Sequence, residues 1–205
     1  MNELRNIYLD NSATTFIDPR VLEDITNRLK LSNFGNPSSM HSFGREGRKI
    51  VERCRENIAE LLFCLPSEIA FTSSGTESNN LAIQGIVKAY KHTNKKHIIT
   101  STIEHASVIE KLEELKKEQN FDITYIPVNS EGIVDVEKLK ESIREDTLLI
   151  TIMYANNEIG TIQPIDKIAR VAKRKKVIFH TDATQVIGKF KINLPILGVD
   201  LFTFS

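Results

Sequence analysis

Val177-Ile178-Phe179-His180-Thr181-Asp182-Ala183-Thr184-Gln185 follows a helical pattern, Ile165 to Arg174, and reads as an apolar strand that delivers a carboxylate at its end. An apolar run of this kind between helical patterns marks a strand buried on both faces, hence a parallel sheet covered by helices. Burying Asp182 costs several kcal/mol unless something rewards its charge. The strand therefore points Asp182 at a metal, a cationic side chain or a protonated ring nitrogen.

The same rhythm extends in both directions. Strands are predicted at Ile69 to Thr72, His97 to Thr100, Ile123 to Val128, Leu148 to Met153, Val177 to Thr181 and Val199 to Phe204. Helices are predicted between them at Glu77 to Tyr90, Ala106 to Glu118, Val136 to Arg144 and Ile165 to Arg174. Sustained β-α alternation predicts an α/β fold with a parallel sheet. Ahead of it come a helix near Arg20 to Lys30, a turn-rich loop from Asn33 to Ser39, and a long helix to about Phe63. There is no internal repeat, low-complexity tract or Pro/Gly-rich linker.

With 205 residues and 40% hydrophobic composition, the chain has enough apolar mass for a core of one large or two small domains. Its 27 basic residues match its 27 acidic ones, so no net field favours nucleic acid or a membrane surface. No apolar run reaches about 18 residues and no signal-peptide pattern opens the chain, which predicts the cytoplasm or an organelle matrix. Cys54 shares the spacing Ile50, Cys54, Ile58, Leu61, the pattern of a buried helix stripe. Cys64, before Leu65-Pro66, is expected nearer the surface. Neither cysteine has a CxxC or Cys/His spacing, so no disulfide framework and no metal site are expected. Lys173-Arg174-Lys175-Lys176 reads as a solvated helix end, where cations suit the helix dipole.

Ligands of open α/β sheets bind beyond the carboxyl ends of the strands, so the residues there belong together. Thr72-Ser73-Ser74-Gly75-Thr76-Glu77-Ser78-Asn79 opens a helix with free amides and hydroxyls, a phosphate cradle or else a plain capping box. It has no Walker pattern. His105 stands at a strand-to-helix junction, where it either caps the helix or stacks on a planar ligand and relays protons. Asp182 either caps the following turn or keeps a ring nitrogen protonated, with Gln185 and Asn157 supplying amide groups beside it. Cradle, imidazole and carboxylate together describe a site for pyridoxal phosphate.

These residues resemble the cysteine desulfurases, of the class V aminotransferase group of fold-type-I pyridoxal phosphate enzymes. The matching segments are Tyr8 to Thr15, Gly35-Asn36-Pro37-Ser38-Ser39, Phe71 to Asn80, Glu104-His105, Asn156-Asn157-Glu158-Ile159-Gly160 and His180 to Gln185. The resemblance implies a three-layer α-β-α large domain with a mostly parallel sheet. Residues 1–15 would contribute to the substrate site, residues 16–65 would form a helical region, and residues 66–205 would form the cofactor-binding domain. It further implies that Gly75, Thr76 and Ser205 hold the cofactor phosphate, that His105 stacks on the ring as the catalytic histidine, and that Asp182 pairs with the ring nitrogen. Gln185 would bond the phenolic oxygen. Asn157 would sit beside that oxygen and the substrate carboxylate, with Ala13 and Thr14 near the substrate.

In such enzymes a His-Lys pair with the Schiff-base lysine follows the serine by a few residues, and Ser205 is the last residue here. The small C-terminal domain, the loop cysteine that accepts sulfur and the substrate-binding arginine are likewise not among these residues. The chain is thus expected to be the N-terminal portion of the enzyme and inactive alone. An antiparallel strand expected between the Ile69 and Val199 strands is also missing from it. The implied activity takes sulfur from L-cysteine, leaves L-alanine, and passes a persulfide to an acceptor or scaffold protein for iron-sulfur cluster or thio-cofactor assembly, in a homodimer. The alternatives are a non-catalytic split subunit that pairs with another polypeptide, or another class V enzyme such as a selenocysteine lyase or an aminotransferase.

Overall fold

The computed structural model describes residues 7–30 and 35–205, so Asn33 and Phe34 of the predicted loop lie outside the described residues. The chain divides into two compact units, residues 1–60 with 65–69, and residues 61–64 with 70–205.

In the first unit, helix α1 (Pro19–Lys30) buries none of its residues, and helix α2 (Ser42–Leu62) starts against the Asn36-Pro37-Ser38-Ser39 turn. The close approach there needs glycine. A Cβ on Gly47 would lie 2.4 Å from the Gly35 carbonyl oxygen, and one on Gly44 2.4 Å from that of Ser39. Cys54 is exposed, contrary to the buried-stripe expectation. The spacing is helical, but Ile50 and Ile58 are only half-buried, and no described element of that unit covers Cys54.

The second unit holds five strands, β1 (His97–Ser101), β2 (Asp122–Ile126), β3 (Thr147–Thr151), β4 (Ile178–Asp182) and β5 (Leu201–Thr203). All pair in parallel, in the order β2-β1-β3-β4-β5. Every residue of β1 and β3 is buried. Successive side chains alternate between faces. Ile98 and Leu149 face α3 (Gly75–Ala89) and α4 (Ala106–Gln119), meeting Ile83, Val87, Val108, Leu112 and Leu115. Ile99, Ile150 and Phe179 face α5 (Val136–Glu141) and α6 (Ile165–Lys175), meeting Leu139, Ile165, Ile168 and Ala172. This is the expected three-layer arrangement, with one apolar cluster on each side of the sheet. A short α7 (Leu194–Leu197) precedes β5.

Two predicted elements differ. Ile69 to Thr72 forms no strand. Ile69 is extended, at φ −91° and ψ 123°, but a strand exists only by pairing, and no described strand pairs with this segment. Helix α5 stops at Glu141 rather than running to Arg144. The Ser142 hydroxyl donates to the Lys138 carbonyl at 2.8 Å, and Arg144 turns away to Asp122 and Asp146.

Candidate active site

Within the second unit, Thr184 beyond β4 and Ser205 beyond β5 approach the start of α3, Ser107 beyond β1 bonds Asn79 of α3, and Glu104 ties the loops that follow β1 and β3. At the start of α3 the Ser74 hydroxyl accepts from the Glu77 amide at 3.2 Å. The Glu77 carboxylate accepts from the Ser73 amide and hydroxyl, both at 2.6 Å. The hydroxyl bond and then the amide bond hold the Glu77 carboxyl below its ordinary value. The Ser74 cap therefore forms, with Glu77 reaching back to Ser73 rather than to the Ser74 amide that a full capping box would use, and it does not use up the helix start. The Gly75 and Thr76 amides, at the first two helical positions, have no acceptor within the helix. A Cβ on Gly75 would lie 3.2 Å from Thr184 Oγ1 and 3.4 Å from Ser205 Cβ. Glycine thus lets the helix start, Thr184 and Ser205 converge, which is what a phosphate cradle needs.

Asp182 is buried, with 7% of its surface exposed. Its Oδ1 accepts from the Thr184 amide at 3.0 Å, the turn-capping bond, and its Oδ2 accepts from Asn79 Nδ2 at 2.7 Å. Among the described residues no cationic side chain pairs with it. A buried carboxylate bonded only to neutral donors fits an external cation such as a protonated ring nitrogen.

His105 caps α4, with Nδ1 accepting from the Ser107 amide at 3.1 Å, and its residue is exposed. Both sequence-based roles of His105 remain compatible with this, because capping uses Nδ1 alone. Gln185 is half-buried and accepts from Lys189 Nζ at 2.9 Å through Oε1, which leaves its Nε2 donors unspent. The half-buried Asn157 side chain has no hydrogen-bond partner among the described residues. Ala13 and Thr14 lie in the other unit, at a turn closed by Ala13 N to Asp10 O at 3.2 Å, and both are exposed.

Glu104 clamps two of these loops. Its Oε1 and Oε2 accept from the Met153 amide at 3.0 and 2.9 Å, and Asn156 Nδ2 donates to the Ile103 carbonyl at 3.0 Å. The residue keeps some exposed surface, but its carboxyl turns inward onto Ser101 and Met153. Burial pushes this carboxyl up to about 8, partly opposed by the Ser101 and Met153 hydrogen bonds, with Asp182 adding to the rise. On the same face of β4 as Asp182, burial pushes His180 down to about 4.

These shifts have opposite signs for stability. Glu104 holds a proton when folded that the unfolded chain loses near 4.5, so its contribution is full below that pH and fades as pH climbs to about 8. His180 refuses a proton that the unfolded chain takes near 6.5, so its contribution is lost as pH falls towards about 4. Between about pH 6.5 and 8 only the Glu104 decline operates. Thermal unfolding of a Glu104→Gln variant should therefore lose that alkaline decline and keep the acid one; an unchanged alkaline slope would show Glu104 charged in the fold.

Sequence reasoning gave no role in the site to Asn79, Ser107, Thr184, Thr203 or Glu104, although Asn79, Thr184 and Glu104 lie in segments that it singled out. Asn79 left one readable signal. It sits four residues before Ile83 and eight before Val87 on the buried stripe of α3, a polar residue at an apolar position.

Residues 7–205 match the aminotransferase class-V family. The chain is 50% identical over 201 residues to the cysteine desulfurase IscS of Dictyoglomus turgidum, covering 98% of this chain and 50% of that protein. It is 46% identical over 202 residues to the mitochondrial cysteine desulfurase of Candida maltosa, covering 98% of this chain and 41% of the other. Among solved structures, a NifS-like protein superposes with a TM-score of 0.90 at 42% identity, covering 95% of this chain and 53% of that one. SspA in complex with cysteine gives a TM-score of 0.89 at 38% identity, covering 95% and 55%. The chain thus spans about half the length of the curated relatives it matches.

Proposed function

We propose, from the premise that this chain belongs to the aminotransferase class-V family, that it is the cofactor-binding portion of a pyridoxal-phosphate-dependent cysteine desulfurase. The reading rests above all on Asp182, a buried carboxylate with two neutral donors and no cation among the described residues, beside a helix start with unspent amides. The relatives named as cysteine desulfurases and the neighbour described as in complex with cysteine support the substrate choice.

When bound, pyridoxal phosphate supplies a protonated ring that draws electrons from a bound amino acid. The chain's own residues hold and orient it. Gly75 and Thr76 would offer amides to the phosphate, with the Thr76, Thr184 and Ser205 hydroxyls around it. Asp182 would accept a hydrogen bond from the ring N–H and so keep the ring nitrogen protonated. His105 would cover the ring as the catalytic histidine, and Gln185 Nε2 would donate to the phenolic oxygen. Asn157 meets that oxygen and the substrate carboxylate, a substrate role that rests for Ala13 and Thr14 on sequence resemblance alone. The complete protein would take sulfur from L-cysteine, release L-alanine and pass persulfide sulfur to an acceptor or scaffold protein for iron-sulfur cluster or thio-cofactor assembly, as a homodimer. No described helix is long and apolar enough to cross a membrane, and the proposed compartment is the cytoplasm or an organelle matrix.

The cofactor lysine of the resemblance follows Ser205, so a polypeptide of residues 1–205 should bind pyridoxal phosphate weakly and without a covalent link. Equilibrium dialysis should detect saturable binding, and borohydride treatment should leave no lysine labelled. A stoichiometric label on a lysine would sink the non-covalent reading. Absence of any saturable binding, to this polypeptide and to the full natural chain, would sink the cofactor reading.

A further inference from the structure

Asn79 is buried to 1% exposure and lies far in sequence from everything it bonds. From one turn inside α3 it donates Nδ2 to Asp182 Oδ2 at 2.7 Å and to Ser107 Oγ at 3.0 Å. Its Oδ1 accepts from the Thr203 hydroxyl. Its orientation is not interchangeable, because a flipped amide would set Oδ1 against the Asp182 carboxylate, which can only accept.

The direction of every neighbouring bond follows from that. With its proton committed to Asn79, Thr203 Oγ1 accepts from His180 Nε2 at 3.1 Å, so His180 Nδ1 accepts from the Thr151 hydroxyl at 2.8 Å. On the other side Ser107 Oγ receives Asn79, so the Ser107 proton turns to His105 Nδ1 at 2.8 Å. The Ser107 amide points at the same nitrogen. His105 Nδ1 is thus an acceptor twice over, and the neutral ring carries its proton on Nε2.

We propose that Asn79 is the positioning residue of this site, orienting the Asp182 carboxylate directly and the His105 ring through Ser107, so that His105 meets the cleft as a hydrogen-bond donor at Nε2. The inference deepens the proposed cofactor site and rests on that reading of Asp182 and His105. It also narrows the proton-relay role, since the lone pair of His105 is turned away from the cleft. The partner suited to that edge is an acceptor, an anionic or carbonyl oxygen of the bound molecule.

The test uses the full natural chain with ring-15N histidine. The His105 Nδ1 resonance should lie where a hydrogen-bonded, unprotonated nitrogen lies, and should move towards the free-nitrogen position in Asn79→Ala and in Ser107→Ala. Affinity for pyridoxal phosphate should fall at least about tenfold in Asn79→Ala, as for a lost hydrogen bond to a charged group. Asn79→Asp keeps the size but replaces the donor with a second carboxylate, and should bind no better than Asn79→Ala at pH 8. A merely space-filling Asn79 would instead let Asn79→Asp behave like the natural protein, and that result would overturn the proposal, as would an unmoved Nδ1 resonance in Asn79→Ala. Should Asn79→Ala fail to fold, Ser107→Ala decides through the resonance alone, an unmoved Nδ1 again overturning the link. If the natural protein binds no pyridoxal phosphate, the cofactor reading falls, while the resonances still decide the link from Asn79 to His105.

Discussion

Asp182→Asn is expected to weaken pyridoxal phosphate binding by roughly 10- to 150-fold while the protein stays folded, the equivalent of about 1.5–3 kcal/mol for a hydrogen bond to a charged group. The substitution keeps the shape but removes the charge that favours a protonated ring. It also creates a local conflict. Asn79 Nδ2 and the Thr184 amide both donate to Asp182, and a carboxamide can offer an oxygen to only one of them. Spectra of ring-15N-labelled pyridoxal phosphate should show a pyridinium in the natural protein and a neutral pyridine in the variant. A pyridinium retained in Asp182→Asn would mean that another group protonates the ring, and would remove Asp182 from its proposed role.

The second large effect is on stability. Phe179 is fully buried in β4, opposite Ile150 of β3, in the cluster under α5 and α6. Phe179→Ala should cost about 3–5 kcal/mol through lost burial and the cavity left behind. That is a large share of the roughly 5–15 kcal/mol that holds an ordinary domain folded. Chemical denaturation followed by circular dichroism measures it, with the exposed Ile196 as control, since Ile196→Ala should stay within about 0.5 kcal/mol. A cost below about 1 kcal/mol at Phe179 would mean that the cluster repacks around the gap. Because Asp182 follows Phe179 by three residues on the same strand, the variant should also bind the cofactor less well near its unfolding midpoint.

Much of the fold was legible because its signals are local. The β1 to β5 segments are short apolar runs, and the helices between them repeat their apolar residues at helical spacing, so both appear in any window of the chain. Ile69 to Thr72 has the same local look and failed, because pairing decides whether an extended segment becomes a strand. Cys54 failed for a related reason: a helical stripe predicts which side chains share a face, and only a covering element buries them. In the site, Asp182 was legible as a charged residue ending an apolar strand, and Gly75 as the start of a helix with free amides. Thr184 was hidden, since nothing in its own neighbourhood says that it lies 3.2 Å from where a Gly75 side chain would begin.

By itself, the sequence of this protein determined that a parallel sheet between helices would carry Asp182 and His105 to the carboxyl ends of its strands, and that a helix with free amides would start at Gly75-Thr76. Periodicity and chain direction suffice for that, since parallel strands joined through helices all end on one side. Only the tertiary structure decided who holds those groups. Asn79 meets Asp182 across 103 positions of sequence and Thr203 across 124, and His105 receives its direction from Ser107 only because Ser107 receives Asn79. Such bonds depend on which turn of α3 rests over which residue of β4 and β5, a matter of side-chain fit between layers that no local pattern encodes.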